Sequence, residues 1–311
     1  MPEQFTKHQH YVPQFYLKLF SADGKSIYAY DRKNESYFTP SIESICRKNY
    51  LYETKWEDAV PELGNYIQPN IIEHTFSRQE GEWSTLFRRL IERSTKLFNT
   101  SDLIERFASQ EDLDLLAKFA AIQYLRDPHV FTNILQNDYN PEVIKDIPEV
   151  KFIAQLLPQI GMGKSKPFMI HSAMKGIFDF SLEGSPAYIH YREFLSMNVT
   201  FFYSNQYDFM ISSSPIQIFS PQEDDSRLLV WFPISPSLLA VYSNADTFYP
   251  MRNQLRTASP QFTQWVNCGY LQHPINHVQQ IFARKKTDIP ELLQYNERLS
   301  QEWSSCQTLN S

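Results

Sequence analysis

Hydrophobic positions along this chain follow three successive regimes. Over the first 55 residues they come in short bursts. Residues 26–31 alternate apolar and polar after an Asp23-Gly24 turn signal, 37–39 form a second burst behind the polar stretch 32–36, and 49–53 offer another. A period of two predicts strands, so residues 5–40 read as a small β-meander with one more strand near residue 50. In the opening stretch 7–17, Pro13 forbids a continuous helix and biases Val12 to an extended conformation. That predicts a short strand, a bend at Pro13, and a segment 14–20 that is either strand or helical turn.

From residue 71 the period lengthens. Ile72, Phe76, Trp83, Phe87, Leu90, Ile91 and Phe98 form a helical stripe, with Glu73, Glu80 and Glu82 on or near it and Gly81 predicting a bend. Ser109-x-x-Asp112 resembles a capping box with Asp in the Glu position, ahead of Leu113, Leu116, Phe119, Ala120 and Tyr124. Asp127-Pro128 ends or kinks that helix. Further helices are expected over 141–182, interrupted by Pro148, Pro158 and the loop 161–167, and a short one over 191–197. Beyond 198 the segments 198–203, 208–212, 215–219, 228–233 and 238–242 are short, aromatic and β-branched, which predicts an antiparallel sheet. Helix is expected again over 259–282, and an amphipathic C-terminal helix over 290–303. The predicted class is α+β. An N-terminal β-meander (within 1–55) and a C-terminal sheet (within 198–311) join or pack, with the central helical region 71–197 against them. No repeat or linker-like shift in composition breaks the chain, so 1–311 is treated as one domain.

Composition sharpens this picture. With 23 Phe, 18 Tyr and 42% hydrophobic residues, the core should be rich in rings, and 19 Pro against 8 Gly favour stiff turns. Neither GxGxxG nor GxxxxGK[ST] occurs, which argues against Rossmann and P-loop nucleotide sites. A net charge of −6 gives no overall attraction to nucleic acid and leaves only local basic patches to consider. Cys46, Cys268 and Cys306 match no disulfide or zinc spacing, and no apolar run approaches a membrane span. The expectation is a soluble cytoplasmic protein without a membrane partner.

Candidate chemistry concentrates in a few places. On a strand, His8 and His10 share a face opposite Gln9 and Tyr11, and a neutral imidazole suits proton transfer near pH 7. The pair could also bind a divalent metal with a third ligand such as Glu73 or Glu82, or simply bond backbone at a strand edge. Tyr11, Gln14 and Tyr16 offer a lining suited to a nucleobase, or an aromatic core. Gln123 and Arg126 share a helical face, and the guanidinium fork suits a phosphate, or a structural ion pair with Asp127 or Glu73. The Arg126-to-His129 spacing does not match that of helical HEPN-type ribonucleases. The run Ser212–Ser214, with Ser213 and Ser214 at its centre, could hold an anion through hydroxyls and backbone NH groups, or form only a turn. The run Glu223–Asp225 reads as a solvated loop.

The opening Lys7-His8-x-His10-Tyr11-Val12-Pro13-Gln14-Phe15-Tyr16-Leu17 resembles the N-terminal signature of a bacterial family known as domain of unknown function 4238. Residues 27–31, the acidic helix from Glu73 to Glu82, Ile122-Gln123-Tyr124-Leu125-Arg126-Asp127-Pro128, the strand-turn 209–215 and Phe232-Pro233-Ile234-Ser235-Pro236 extend the likeness. One departure stands out: where such proteins have an acidic Ser-Asp-x-Pro run, this chain has Ser212-Ser213-Ser214-Pro215. The resemblance implies a role in anti-phage defence. The leading expectation is a nuclease-like effector, or a hydrolase directed at phosphodiesters or nucleotides, with His8, His10, Glu73 and Arg126 as catalytic residues. Its substrate contacts would come from Tyr11, Gln14, Tyr16, Gln123, Ser213 and Ser214. The alternative is a non-catalytic sensor that binds a phage protein, a nucleotide or nucleic acid. The serine run is also similar to the Ser-Thr-Ser strand of some ADP-ribosyltransferases, with Arg126 before it and Glu223 after it. A last alternative makes the opening motif a folding device that locks the first strand in place.

Overall fold

The structure is a computed structural model. It describes residues 6–52, 70–98, 100, 103–137, 175–219, 228–244, 252–275 and 277–309, with side chains omitted at 135–137 and 302–309. Most of the helical region expected over 141–182 and the acidic loop 223–225 lie outside the described residues. The chain divides into two compact units, each assembled from three stretches. The first comprises Met1–Tyr11, Cys46–Trp83 and Ala117–Phe194; the second comprises Val12–Ile45, Ser84–Leu116 and Leu195–Ser311.

In the first unit, β1 (His8–His10) pairs antiparallel with β4 (Arg47–Asn49), so that His8 faces Asn49 and His10 faces Arg47. Around this ribbon the unit gathers the first half of α2 (Ile71–Phe98), the second half of α3 (Gln110–Leu125), α4 (Pro128–Asn137) and nearly all of α5 (Pro186–Ser196). The α3 residues Ala117, Phe119, Ala120, Ala121, Ile122 and Leu125 are all fully buried, the burial expected of a helix that is apolar on every side. Tyr52, Phe76, Phe131 and Phe178 form an aromatic cluster; Phe76 and Phe178 meet edge-on at 4.9 Å, as the quadrupoles of the rings favour. The break at Asp127-Pro128 has a clear cause. Pro128 opens α4, and the Asp127 carboxylate accepts the His129 N–H at 2.8 Å, capping the new helix.

The second unit holds the sheets. A six-stranded sheet runs β5 (Leu103–Glu105), β11 (Gln254–Thr257), β6 (Asn198–Tyr203), β10 (Leu238–Ser243), β9 (Leu229–Ser235), β8 (Gln217–Phe219). All its neighbours are antiparallel except β11 with β6. A four-stranded sheet runs β3 (Ser36–Phe38), β2 (Tyr28–Asp31), β12 (Gln280–Ala283), β7 (Ile211–Ser212). N-terminal and C-terminal strands therefore share one sheet. Helix α6 (Pro260–Gln272) serves two cores. Val266 packs with Trp231 and Leu239 of the larger sheet, while Cys268 and Tyr270 pack with Ile281 of the smaller sheet and with Leu292 of α7 (Asp288–Leu309). Arg32 closes the C-terminal end of α6 by donating to the carbonyls of Leu271, His273 and Val278 at 2.8–3.0 Å. Every residue of β9 and β10 is buried. Pro233 is tolerated in β9 because β8 pairs only with Leu229–Trp231, so no partner there needs a proline N–H. Its carbonyl accepts the hydroxyl of Tyr16 from α1 (Gln14–Leu19).

The class is α+β, as the pattern predicts, and several elements differ in detail. The opening strand does not join β2 and β3 in a meander; it leaves for β4. Helix α2 continues through Gly81, which is exposed with open space around it, so the glycine weakens the helix without ending it. The helix expected over 259–282 stops at Gln272 before Pro274, and Gln280–Ala283 becomes a central strand. Strands β5 and β11 carry too little alternation to be read from sequence. Among the described residues, no helix is long and apolar enough to cross a membrane.

The capping box of α3 is formed in both directions. Ser109 Oγ accepts from Asp112 N at 3.1 Å, and the Asp112 carboxylate accepts from Ser109 N at 3.0 Å while also pairing with Arg89. Replacing Ser109 by Ala is expected to cost about 1 kcal/mol, and by Gly only a few tenths. Chemical unfolding of the two variants checks this; an alanine variant no less stable than the glycine one contradicts the capping role.

Candidate functional site

The polar centre of the first unit is built around Arg126, which is only 2% exposed. It follows the last turn of α3, and its backbone N–H still bonds Ile122 O at 2.8 Å. Its guanidinium lies over the ring of Phe76 at 4.3 Å, donates through Nη1 to Glu80 Oε1 at 2.6 Å, and donates through Nη2 to the carbonyl oxygen of His10. Burial penalises the guanidinium, and Glu80, the Tyr52 hydroxyl and Glu73 more than offset that, so its pKa is displaced upward. Glu73, Phe76 and Glu80 are spaced i, i+3, i+7 on α2 and so present one face to the arginine.

A closed set of hydrogen bonds ties this centre to the ribbon. Tyr52 N donates to Gln9 Oε1 at 2.7 Å, and Tyr52 Oη donates to the carbonyl of Arg126 at 2.7 Å, satisfying an end-of-helix acceptor. Arg126 returns to His10, completing the circuit, and Gln123 Nε2 donates to the carbonyl of Tyr11 at 2.9 Å. Gln9 is fully buried while His8 is exposed, so the inward face of β1 belongs to the glutamine.

Glu73 is the titratable group this arrangement perturbs in the opposite sense. Burial, with the Glu80 charge adding to it and Arg126 opposing it, pushes its carboxyl up to about 7. Its Oε1 is buried without a hydrogen-bond partner among the described residues, as are Gln79 Oε1, Gln123 Oε1 and Arg126 Nε. Beside this face a cavity of about 270 Å³ opens between α2 and residues 175–181, lined by Thr75, Phe76, Gln79, Asp179 and the cations Arg78 and Lys175. Phe76 belongs to both: it carries the guanidinium and forms part of the cavity wall.

The sequence-predicted residues divide between the units. His8, His10, Tyr11, Glu73, Gln123 and Arg126 belong to the first; Gln14, Tyr16, Ser213 and Ser214 belong to the second. His8 Nδ1 sits 2.8 Å from Asn49 Oδ1, a cross-strand pair on the exposed side of the ribbon. His10 enters the Arg126 circuit through its carbonyl. Tyr11 is held by its backbone, and burial raises the pKa of its hydroxyl, which bonds the Cys46 thiol. Tyr16 is fully buried with its hydroxyl committed to Pro233. Ser213 Oγ accepts from the backbone of Gln279 and Gln280, and Ser214 N donates to Ser212 Oγ, so these serines brace a turn against β12. Among the described residues no three His, Cys, Asp or Glu side chains converge as metal ligands. Sequence reasoning passed over Gln9, Tyr52, Phe76 and Glu80 as site residues. Only Glu80 left a usable signal, since it lies two helical turns from Glu73 on the same face.

A family model described as protein of unknown function (DUF4238) matches residues 8–287. The chain belongs to this family. In this DUF4238 protein the match opens on β1 and ends one residue before α7, so it contains the whole Arg126 circuit and both sheets. Comparison with curated proteins and with solved structures produced no match.

Two outcomes follow from the geometry. In Arg126→Lys a single ammonium cannot span Glu80 and the His10 carbonyl while covering Phe76, so stability should fall by on the order of 3 kcal/mol. Amide exchange at Tyr11 and Tyr50, whose N–H groups donate to Cys46 and Lys7 in the ribbon, should quicken; unchanged exchange would mean the fork does not hold β1. Glu73 sets a pH trend. Its folded pKa of about 7 lies above the ordinary 4.5, so the folded state keeps a proton that the unfolded state gives up. Stability should therefore decline as pH rises from about 4.5 to about 7 and level off above it. Denaturant midpoints across that range should show the decline in the native protein and its loss in Glu73→Gln.

Proposed function

We propose that the first unit of this DUF4238 protein is a hydrolytic site for a phosphate-bearing substrate, a nucleotide or a nucleic-acid phosphodiester. The observation that carries the reading is a cavity with two cations, Arg78 and Lys175, on its wall, which shares Phe76 with the centre that Arg126 and Glu73 occupy. Burial pushes the Glu73 carboxyl up to about 7, the range in which a carboxylic acid can protonate a leaving oxygen at neutral pH. Arg78 and Lys175 are exposed on the cavity wall and suit the phosphate oxygens. Arg126 is a positioning residue that holds Glu80 and the His10 backbone in the centre it shares with Glu73. Arg126 itself is not assigned to phosphate, because both its Nη groups are engaged within the protein. The family resemblance supports anti-phage defence as the setting for such an activity.

A second reading has one specific observation in its favour. A pocket with cations at its edge and a buried arginine locked to protein partners also describes a binding module, in which a nucleotide or a phage protein is recognised without turnover.

The two readings separate in a direct assay. Purified protein is incubated with RNA, single- and double-stranded DNA and nucleoside triphosphates, with magnesium, with manganese and with chelator. Hydrolysis should fall about 10²–10⁴-fold in Glu73→Gln. It should also decline above about pH 7 as Glu73 gives up its proton. Arg78→Ala and Lys175→Ala should raise KM more than they lower kcat. Stoichiometric binding with no product under any condition would replace the hydrolase with the module.

A further inference from the structure

The second unit contains a cavity that the Glu73 site does not use. It has a volume of about 550 Å³ and is formed by β8, β9, α6 and α7. Three rings gather on one side. Trp231 and Trp265 lie 5.7 Å apart with their planes 39° from parallel, and Phe219 stands 6.1 Å from Trp231 and 6.4 Å from Trp265. They differ in exposure: Trp231 is 3% exposed, whereas Trp265 and Phe219 are 43% and 39% exposed. Rings of that size standing open to solvent lose the benefit of burial, and in a ligand pocket they serve as the stacking surface.

The polar groups narrow the ligand. Trp231 Nε1 is a donor buried with no hydrogen-bond partner among the described residues. It lies beneath the cavity surface, so Trp231 contributes the apolar floor of the cavity. Gln272 Nε2 donates to Asn296 Oδ1 at 3.1 Å, which leaves Gln272 Oε1 as an acceptor and Asn296 Nδ2 as a donor. Both amides line the cavity, as does His273. Burial, with His277 and Arg32 nearby, moves the His273 pKa downward, so its ring is neutral at cellular pH. No Asp, Glu, Lys or Arg is among the lining residues described. Gly269 shows how closely the wall is built, because a Cβ there would lie 2.8 Å from the indole of Trp231. A glycine inside a helix weakens it, and here it lets α6 approach the ring that floors the cavity.

We propose that this cavity binds an uncharged planar heteroaromatic ring with donors and acceptors on its edge, the chemistry of a nucleobase carried by a nucleoside. Trp265 and Phe219 stack on the ring, Trp231 floors the site, and the Gln272–Asn296 pair reads the edge. Among the described lining residues none is acidic, which disfavours a quaternary ammonium ligand, the other occupant of aromatic cages.

The test is calorimetric titration of the full chain with adenosine, guanosine, cytidine and uridine, and with choline. Nucleosides carry no phosphate, so their binding does not depend on the cations of the first unit. At least one nucleoside should bind saturably. Trp265→Ala should weaken it about tenfold or more, the size of one stacking contact, at an unchanged thermal midpoint. Trp265→Phe should restore most of the affinity, and Glu73→Gln should leave it unaltered. Failure of all four nucleosides to bind at millimolar concentration overturns the proposal, as does binding indifferent to Trp265→Ala or binding of choline alone.

Discussion

An arginine cannot shed its charge, so wherever the fold buries one it must bring partners to it. That requirement organises the first unit. Arg126 lies inside the protein with a carboxylate on one Nη, a strand carbonyl on the other and a phenyl ring beneath. The carboxylate and the ring come from α2 and the carbonyl from β1, so the guanidinium, carried at the end of α3, fixes the three together. The remaining bonds of the circuit serve the same end: Tyr52 takes up the carbonyl that α3 leaves at its terminus, and Gln9 takes up the N–H of Tyr52. A point charge could hold one of these groups; a planar fork holds two in fixed geometry.

The same charge explains Glu73. One carboxylate, Glu80, neutralises Arg126 directly. A second carboxyl on the same helical face finds the arginine already paired, and burial then outweighs what attraction remains. Burial and the Glu80 charge together raise the Glu73 carboxyl, and Arg126, already paired with Glu80, offsets them only in part. The reactivity proposed for Glu73 therefore rests on its burial beside a cation whose charge Glu80 already balances.

What the sequence reveals here depends on the range of the interaction. The Ser109–Asp112 box and the Asp127-Pro128 cap are local, and both are legible because their partners lie within four residues. The alternation of His8, Gln9 and His10 across β1 is legible too, but not which side faces inward. Polarity ranks histidine and glutamine almost equally, and the choice is made by Tyr52, which is 43 residues away and offers its N–H to Gln9. Tyr16 and Arg126 show the same limit. The first reads as a pocket tyrosine until Pro233 claims its hydroxyl, and the second reads as a phosphate ligand until Glu80 and His10 claim its fork. Strand β12 was hidden for a related reason. Its four residues are strand because β2 and β7 flank them, while their own pattern is equally compatible with the end of a helix.

The absence of a linker in the sequence has a physical explanation as well. Each unit draws on three stretches, and three of the five passages between units occur inside α2, α3 and α5. A helix interior cannot carry the Gly, Pro and Ser enrichment that marks a boundary without ceasing to be a helix. Composition therefore stays uniform where the unit changes. Within that uniform composition the two units use different chemistry. The first places its ionisable groups at helix ends and faces, where burial and neighbouring charges tune them. The second spends its rings and amides on a neutral cavity. A net charge of −6, averaged over the chain, hides both an arginine that must be neutralised and a pocket that excludes charge. Electrostatic character in this protein is a property of each site and not of the chain.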